Sequence, residues 1–113
     1  MTARILYVED DEDIRPMIEE LLLDEGYEVD AIETVATALS RLDSQSYDLV
    51  LTDGRLPDGT GLTIAGRATE RAMKVLIFTG FADQFSRAEL ANYTVLNKPG
   101  DMDRLIETVH SVC

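Results

Sequence analysis

The alternation of short apolar runs with helical patterns restricts the possible folds of this chain more than any other feature of the sequence. Runs rich in β-forming residues occur five times, at 4–8, 28–33, 47–52, 74–79 and 94–97. A segment of helical character follows each run, at about 14–25, 35–44, 62–71, 83–92 and 101–112. A strand followed by a helix, repeated in this way, predicts an α/β fold with a parallel sheet and right-handed crossovers that cover both of its faces.

The helical segments differ in how clearly their apolar residues are patterned. The strongest stripe comprises Ile14, Met17, Ile18, Leu21 and Leu22. We expect Asp11 to Asp13 to cap this helix, Gly26 to end it, and Thr34 and Asp101 to cap the second and last helices. The segment 83–92 has no strong stripe, so we expect it to be the least firmly docked element.

Composition and charge narrow the class of protein. The 113 residues suffice for one hydrophobic core, so we expect one domain over residues 1–113. A formal net charge of −12 repels phosphate backbones and anionic lipid, which disfavours direct binding to nucleic acid or membranes. No apolar run approaches the ~20 residues of a membrane span and no secretory signal is visible, so we expect a cytoplasmic protein.

Polar side chains follow four of the predicted strands. Glu9 and Asp10 follow the first, Asp53 the third, Thr79 ends the fourth and Lys98 follows the fifth. Ligands of open parallel sheets bind beyond the carboxyl ends of the strands, so we expect these side chains to converge. Three neighbouring carboxylates repel one another unless a cation lies between them, and an all-oxygen donor set favours a hard divalent ion such as Mg²⁺.

Two further groups at the same edge suit an anion held beside that metal. Lys98 offers a point charge, and Thr79 offers a hydroxyl donor. Together with the carboxylates they describe a phosphoryl site, in which Asp53 is the candidate nucleophile because a carboxylate can form an acyl phosphate.

Four segments of the sequence carry a family resemblance. ILYVEDDEDIR at 5–15, DLVLTDGRLPDGTGL at 48–62, VLIFTG at 75–80 and NKP at 97–99 resemble the receiver domain of bacterial two-component response regulators. The resemblance implies a CheY-like, doubly wound sheet of five parallel strands in the order 2-1-3-4-5. A weaker resemblance is to single-domain receivers similar to CpdR, which prime a protease for substrates.

The resemblance also implies roles at the carboxylates. Asp53 resembles the phosphoacceptor, which takes its phosphoryl group from a kinase phosphohistidine and also binds the metal. Asp10 resembles the direct ligand of Mg²⁺, and Glu9 resembles the ligand that acts mainly through water. The backbone carbonyl of Arg55 is the fourth ligand that the resemblance implies, and Mn²⁺ could replace Mg²⁺.

The remaining implied roles concern the phosphoryl group and the switch. Lys98 resembles the lysine that pairs with phosphoryl oxygens, Thr79 the hydroxyl that moves toward them, and Pro99 the proline whose bond to Lys98 is cis. The sequence departs from the family at Val95, where an aromatic residue often moves with the threonine. Tyr93 could replace that aromatic side chain if the strand register allows it.

Three functions remain open from the sequence. The first is a stand-alone receiver, a phosphoacceptor that assists its own phosphorylation and dephosphorylation and changes a surface that binds a downstream protein. The second is a phosphate shuttle or sink between a histidine kinase and a histidine phosphotransfer protein. The third is a phosphohydrolase, which Arg55 disfavours because such enzymes usually carry a second aspartate at that position. We assign no role to His110 or Cys113.

Overall fold

The chain folds into a parallel sheet that is covered by helices on both faces. The structure is a computed structural model that describes residues 2–113. The strands are β1 (Arg4–Val8), β2 (Glu28–Ile32), β3 (Leu49–Thr52), β4 (Arg55–Leu56), β5 (Gly59–Thr60), β6 (Lys74–Thr79) and β7 (Thr94–Asn97). The helices are α1 (Ile14–Asp24), α2 (Val35–Ser44), α3 (Gly61–Glu70), α4 (Arg87–Leu90) and α5 (Leu105–Val112), with short 3₁₀ helices at Ala82–Gln84 and Met102–Arg104.

The strand order confirms the predicted fold. Within residues 2–113 the main sheet has five strands in the order β2-β1-β3-β6-β7, and all of its neighbouring pairs are parallel. Strands β4 and β5 form a separate antiparallel hairpin in the loop after β3, so the five sheet strands follow the predicted 2-1-3-4-5 order. Between two parallel strands the chain must return to the end of the sheet where the first strand began. The intervening helices make this return and pack onto the sheet.

Two apolar clusters hold the helices against the sheet. Residues of α1 and α5 pack on one face, where the cluster includes Ile5, Tyr7, Ile18, Leu22, Leu51, Phe78, Leu105 and Val109. Residues of α2 and α3 pack on the other, where it includes Leu6, Val8, Val35, Ala38, Leu42, Val50, Ile64 and Ala68. Because both faces are covered, the central strands are apolar at Ile5–Val8 in β1 and at Leu49–Leu51 in β3.

Helix α1 agrees with its predicted cap but differs from its predicted apolar stripe. Ile18 and Leu22 are buried as expected, but Met17 is 45% exposed and Leu21 42% exposed, so the side of the stripe that carries them faces solvent. The cap is the Asp11 side chain, whose Oδ1 accepts hydrogen bonds from the backbone N–H groups of Asp13 (2.8 Å) and Ile14 (2.9 Å). At α2 the prediction is confirmed, since the Thr34 side chain accepts from the Thr37 N–H at 3.2 Å.

The predicted helix over 83–92 is broken into two pieces. A 3₁₀ helix at Ala82–Gln84 is followed by α4, which has four residues and buries none of them, as the structure describes all four. A capping box between Ser86 and Glu89 starts α4, because each side chain accepts from the other residue's backbone N–H. The weak docking expected of this segment is confirmed.

The last helix begins differently from its prediction. Asp101 does not cap it; instead its carboxylate accepts a hydrogen bond from the Asn97 N–H at 2.8 Å, which ties the start of the helix to the end of β7.

None of the helices between residues 2 and 113 has the length and apolar character that a transmembrane segment needs.

Candidate functional site

The strand register brings the predicted side chains to one edge of the sheet. Val8 pairs with Thr52 at the ends of β1 and β3, and Thr79 pairs with Asn97 at the ends of β6 and β7. The Asp53 N–H donates to the Val8 carbonyl at 3.0 Å, which continues the β1–β3 pairing for one residue beyond the strands. The residues that follow these strands therefore meet above the sheet.

Lys98 lies between two of the carboxylates. Its Nζ donates to Glu9 Oε1 and, at 3.1 Å, to Asp53 Oδ2. The three side chains are largely removed from solvent, with exposed fractions of 12% for Lys98, 2% for Glu9 and 7% for Asp53. The second Asp53 oxygen accepts the Arg55 N–H at 3.3 Å, so both oxygens of this carboxylate are held in place.

Burial and charge act in opposite directions on this cluster. Burial raises the pKa of Glu9 to about 7, although its hydrogen bond from Lys98 favours the ionised form. For Lys98, burial favours the neutral amine, but the hydrogen bond to Glu9 and the charge of Asp53 outweigh it and raise the pKa. The ammonium thus stays charged, and the cluster has more carboxylates than it has counter-charge.

The carboxylates fit a divalent cation. Glu9, Asp10 and Asp53 each offer an oxygen, and these three oxygens lie within 4.8 Å of one another. Asp10 is exposed and lines two adjoining depressions, of about 290 and about 360 Å³, which Asp53 also lines. Hard oxygen donors beside open, water-accessible space are the arrangement that Mg²⁺ prefers, because it retains several water ligands.

Phe81 and Arg55 form a wall of the site that the sequence analysis missed. Phe81 lines both depressions, and the Arg55 guanidinium lies 5.3 Å from the centre of its ring. Arg55 also donates to the side chain of Gln84, so the loop after Asp53 is joined to the 3₁₀ helix after β6. A pairing across two loops has no signal in sequence spacing.

Thr79 is fully buried at the end of β6. Its Oγ1 accepts the Phe81 N–H at 3.1 Å, which links the hydroxyl to the segment that leads to α4. The position agrees with the strand-end prediction, while the hydrogen bond within the following turn was not predicted.

The loop after β3 contains glycines for reasons of space more than of backbone angle. A Cβ at Gly61 would lie 2.0 Å from the carbonyl oxygen of Asp53, and a Cβ at Gly54 would lie 3.0 Å from Thr79 Oγ1. Of the loop's glycines Gly54, Gly59 and Gly61, Gly59 alone has a positive φ. The start of α3 is therefore packed directly against the backbone of Asp53.

The hairpin of this loop is anchored by Asp58, which the sequence analysis also missed. Its two carboxylate oxygens accept the backbone N–H groups of Val35 (2.8 Å) and Ala36 (2.9 Å) at the start of α2. These hydrogen bonds to the Ala36 and Val35 N–H groups lower the pKa of Asp58. A carboxylate at a helix N-terminus is favourable, so Asp58 fixes the far end of the loop.

The region around β7 gives a mixed outcome for its predictions. The bond between Lys98 and Pro99 is cis, and Val95 is half-buried within β7. Tyr93 precedes the amino end of β7 and lines a cavity of about 380 Å³ with Met73 and other residues at that end of the sheet. It therefore lies away from the site, and the suggestion that Tyr93 replaces the missing aromatic residue is wrong.

Comparisons of the sequence with known proteins agree on one family. The family model described as response regulator receiver domain covers residues 5–110. CpdR of Brucella abortus, a response regulator receiver protein, is 40% identical over 81 residues, which are 70% of this chain and 68% of CpdR. The transcriptional regulatory protein DltR of Streptococcus agalactiae is 30% identical over 94% of this chain, and the chain spans about half the length of DltR.

Solved structures support the same grouping. The response regulator TrrA of Thermotoga maritima, in complex with Mg²⁺-BeF, superposes with a TM-score of 0.88 at 32% identity and full coverage of both chains. TrrA is also similar in its complex with the histidine kinase ThkA, with a TM-score of 0.85, 99% of this chain covered and 98% of TrrA. These ligands and partners are those of TrrA.

Proposed function

The chain belongs to the response regulator receiver domains of two-component systems. We therefore propose that Asp53 is its phosphoacceptor, which receives a phosphoryl group from the phosphohistidine of a histidine kinase. The observation that carries this proposal is the state of the Asp53 carboxylate. It is 6% exposed as a residue, faces the two depressions, and holds hydrogen bonds at both oxygens. A nucleophile in a fixed orientation beside a cation is the requirement for in-line phosphoryl transfer.

The transfer involves one bond made and one bond broken. An oxygen of Asp53 attacks the phosphorus of the donor, the P–N bond to the kinase histidine breaks, and the electron pair of that bond stays on the imidazole, which takes up a proton. The product is an acyl phosphate on Asp53. With little covalent chemistry required of the protein, its contribution is to position the carboxylate and to neutralise charge.

Glu9, Asp10, Asp53 and the carbonyl of Arg55 are the groups that would hold Mg²⁺, or Mn²⁺ in its place. When bound, the ion supplies positive charge that neutralises phosphoryl oxygens. Glu9 contributes its charge from a buried position, while Asp10 contributes from the exposed side. The excess of carboxylates over counter-charge favours uptake of a cation here.

Lys98 and Thr79 act on the transferred group in this proposal. The Lys98 ammonium, which already donates to Asp53, would donate to a phosphoryl oxygen attached at the same place. The Thr79 hydroxyl would leave its hydrogen bond with the Phe81 N–H and donate a hydrogen bond to another phosphoryl oxygen. That movement would alter the segment before α4 and so change a surface that binds a downstream protein.

We propose that residues 1–113 act as one receiver domain in the cytoplasm, where sensor kinases present their phosphohistidine. The kinase complex of TrrA supports a histidine kinase as the phosphodonor, and a histidine phosphotransfer protein would offer the same phosphohistidine. The net charge of −12 supports a protein as the downstream partner and argues against direct contact with nucleic acid.

The test is the intact mass of the chain after incubation with acetyl phosphate. We expect a gain of one phosphoryl group per chain with Mg²⁺, and no gain when the metal is chelated or in Asp53→Asn. Asp13→Asn is the matched control, because this exposed carboxylate belongs to the same acidic run as Glu9 and Asp10 but does not line either depression.

Two results would overturn the proposal. A phosphoryl gain that persists in Asp53→Asn would place the acceptor elsewhere, and continuous hydrolysis of small phosphomonoesters would make the chain a phosphohydrolase.

A further inference from the structure

Gly54, directly after the proposed phosphoacceptor, is a glycine for steric reasons. Its φ lies outside the positive region, so its backbone conformation is open to any residue. A Cβ at this position would lie 2.9 Å from Phe85 Cε2, 3.0 Å from Thr79 Oγ1 and 3.2 Å from Thr79 Cβ. Contacts under about 3 Å do not occur between a Cβ and a packed neighbour, so any larger residue must displace Phe85, Thr79 or both.

The missing Cβ therefore defines a seat for the Phe85 ring. Phe85 and Thr79 flank the same point above Gly54, so the two side chains are neighbours across it. Thr79 is joined to the same segment a second time, because its hydroxyl accepts the Phe81 N–H at 3.1 Å. The Thr79 side chain thus lies near the Phe85 ring and is also hydrogen-bonded to the segment after β6.

Phe85 is also the residue that leads into α4. Ser86, its immediate neighbour, is the N-cap of that helix and forms the capping box with Glu89. The four residues of α4, all described, include none that is buried. A displacement of Phe85 is therefore transmitted to α4 through a short, capped connection, and little buried surface resists it.

We propose that Phe85, seated over Gly54, is a positioning residue through which the Thr79 side chain sets the position of helix α4. When the Thr79 side chain turns toward Asp53, the space beside the Phe85 ring changes. The ring moves with it and displaces Ser86 and helix α4. The turn of the Thr79 side chain, which is the trigger, rests on the proposed function, whereas the packing of Phe85 over Gly54 does not.

Strand β7 offers no alternative route of this kind. Its residues Thr94–Asn97 include no aromatic side chain, and Tyr93 lies at the opposite end of that strand from Lys98. The structure instead places the aromatic ring of Phe85 beside Thr79 and Gly54.

The first experiment tests the seat without any modification of Asp53. Backbone amide chemical shifts of residues 86–91 are measured by NMR in the wild type, Gly54→Ala, Phe85→Ala and the double variant. We expect Gly54→Ala to shift these amides because its methyl group displaces the ring, and the same substitution to have no effect on them in the Phe85→Ala background. Equal shifts in both backgrounds, or none in either, would overturn the seat.

The second experiment tests the coupling with beryllofluoride and Mg²⁺ as the probe of Asp53. We expect the adduct, followed by ¹⁹F NMR, to form in the wild type, in Phe85→Ala and in the control Tyr93→Ala. The amides of 86–91 should respond in the wild type and in Tyr93→Ala, and the response should be lost in Phe85→Ala.

The outcomes separate the two proposals. An adduct in Phe85→Ala with an undiminished response of residues 86–91 would overturn the coupling and leave the proposed function intact. Absence of the adduct from the wild type would overturn the proposed function, and with it the trigger, while the first experiment still decides the seat. A Phe85 that is only structural would change stability without removing the response to the adduct.

Discussion

The charge cluster of Glu9, Asp53 and Lys98 and the segment 80–91 are neighbours, but they are built in different ways. The cluster stands on β1 and β3, whose residues are almost all buried, and its side chains hold one another by hydrogen bonds. The segment 80–91 consists of a turn, a 3₁₀ helix and the four-residue α4, and none of its described residues is buried.

The difference suggests a division of labour. Groups that must be aligned for a reaction belong on strands, because packing on both faces fixes them to a fraction of an ångström. A surface that must change belongs on a segment with little buried area, because small forces can move it. Thr79 stands at the boundary, buried at the end of β6 and hydrogen-bonded to the turn that follows. Four predictions test this division, and the first concerns the cluster itself.

Lys98→Met should destabilise the chain more than substitutions at the glycines of α3 or at the helix caps. It leaves the Glu9 and Asp53 carboxylates buried without a counter-charge, so we expect a loss of about 3 kcal/mol in the free energy of unfolding at neutral pH without Mg²⁺. Urea unfolding followed by circular dichroism measures this loss.

Lys74→Met is the matched control, because this lysine is exposed at the start of β6. We expect its effect to stay within about 0.5 kcal/mol. Equal effects of the two substitutions would mean that the cluster is not held by the Lys98 ammonium.

Two glycines of helix α3 should respond in opposite directions to alanine. Gly61→Ala places a methyl group against the Asp53 carbonyl oxygen, a backbone atom that cannot move aside, and we expect a loss of about 2 kcal/mol. Gly66→Ala meets nothing within 4 Å among the described residues, and we expect a gain of about 0.5–1 kcal/mol from helix propensity. Thermal unfolding of both variants measures the pair, and a loss at Gly66 would show that α3 is not packed as described.

Removing the helix caps Thr34 and Ser86 compares the packed helix α2 directly with the segment 80–91. Thr34→Ala removes a cap from α2, which buries Val35, Ala38 and Leu42, so we expect the full cost of about 1 kcal/mol in global stability. Ser86→Ala removes a cap from α4, which contributes little to the core. We expect faster amide hydrogen exchange at 87–90 and a smaller global loss than at Thr34. A larger global loss at Ser86 would show that α4 is part of the cooperative core.

The smallest effect is expected at Asp30, in the middle of the edge strand β2. Hydrogen bonds from Arg41 and Tyr47 lower the pKa of Asp30. A carboxyl whose folded-state pKa is lowered adds stability above its unfolded-state pKa, and this contribution disappears as the pH falls through the folded-state value. The difference in unfolding free energy between the wild type and Asp30→Asn should therefore be constant near neutral pH and shrink in acid. A difference that does not vary with pH would mean that the ionised Asp30 carboxylate does not contribute to stability.

Much of the fold could be predicted because the central strands β1, β3 and β6 are short and mostly buried. Strand β6 occupies the predicted residues 74–79, since a run of large apolar residues between two covered faces has few other structures open to it. In α1, helical spacing identified the apolar residues but could not show that the side of Met17 and Leu21 would lack a partner. Which part of a broad stripe meets the sheet depends on the crossing of the helix, which sequence does not encode locally.

The site shows the same limit. Glu9, Asp53 and Lys98 could be located because the ends of parallel strands meet at one edge, whatever the loops do. Phe85 and Asp58 could not, since each reaches its partner through a loop whose path depends on contacts distant in sequence. Glycine after a candidate nucleophile was visible in the sequence, but its neighbours were not.

Hydrogen–deuterium exchange of the whole chain, with and without Mg²⁺ and beryllofluoride, is the sharpest test of the division of labour. We expect the change in exchange to concentrate in residues 80–91, and strands β1 and β3 to keep the same slow exchange in both states. Equal changes throughout the sheet and this segment, or a change limited to β1 and β3, would contradict the division between a fixed chemical cluster and a movable surface.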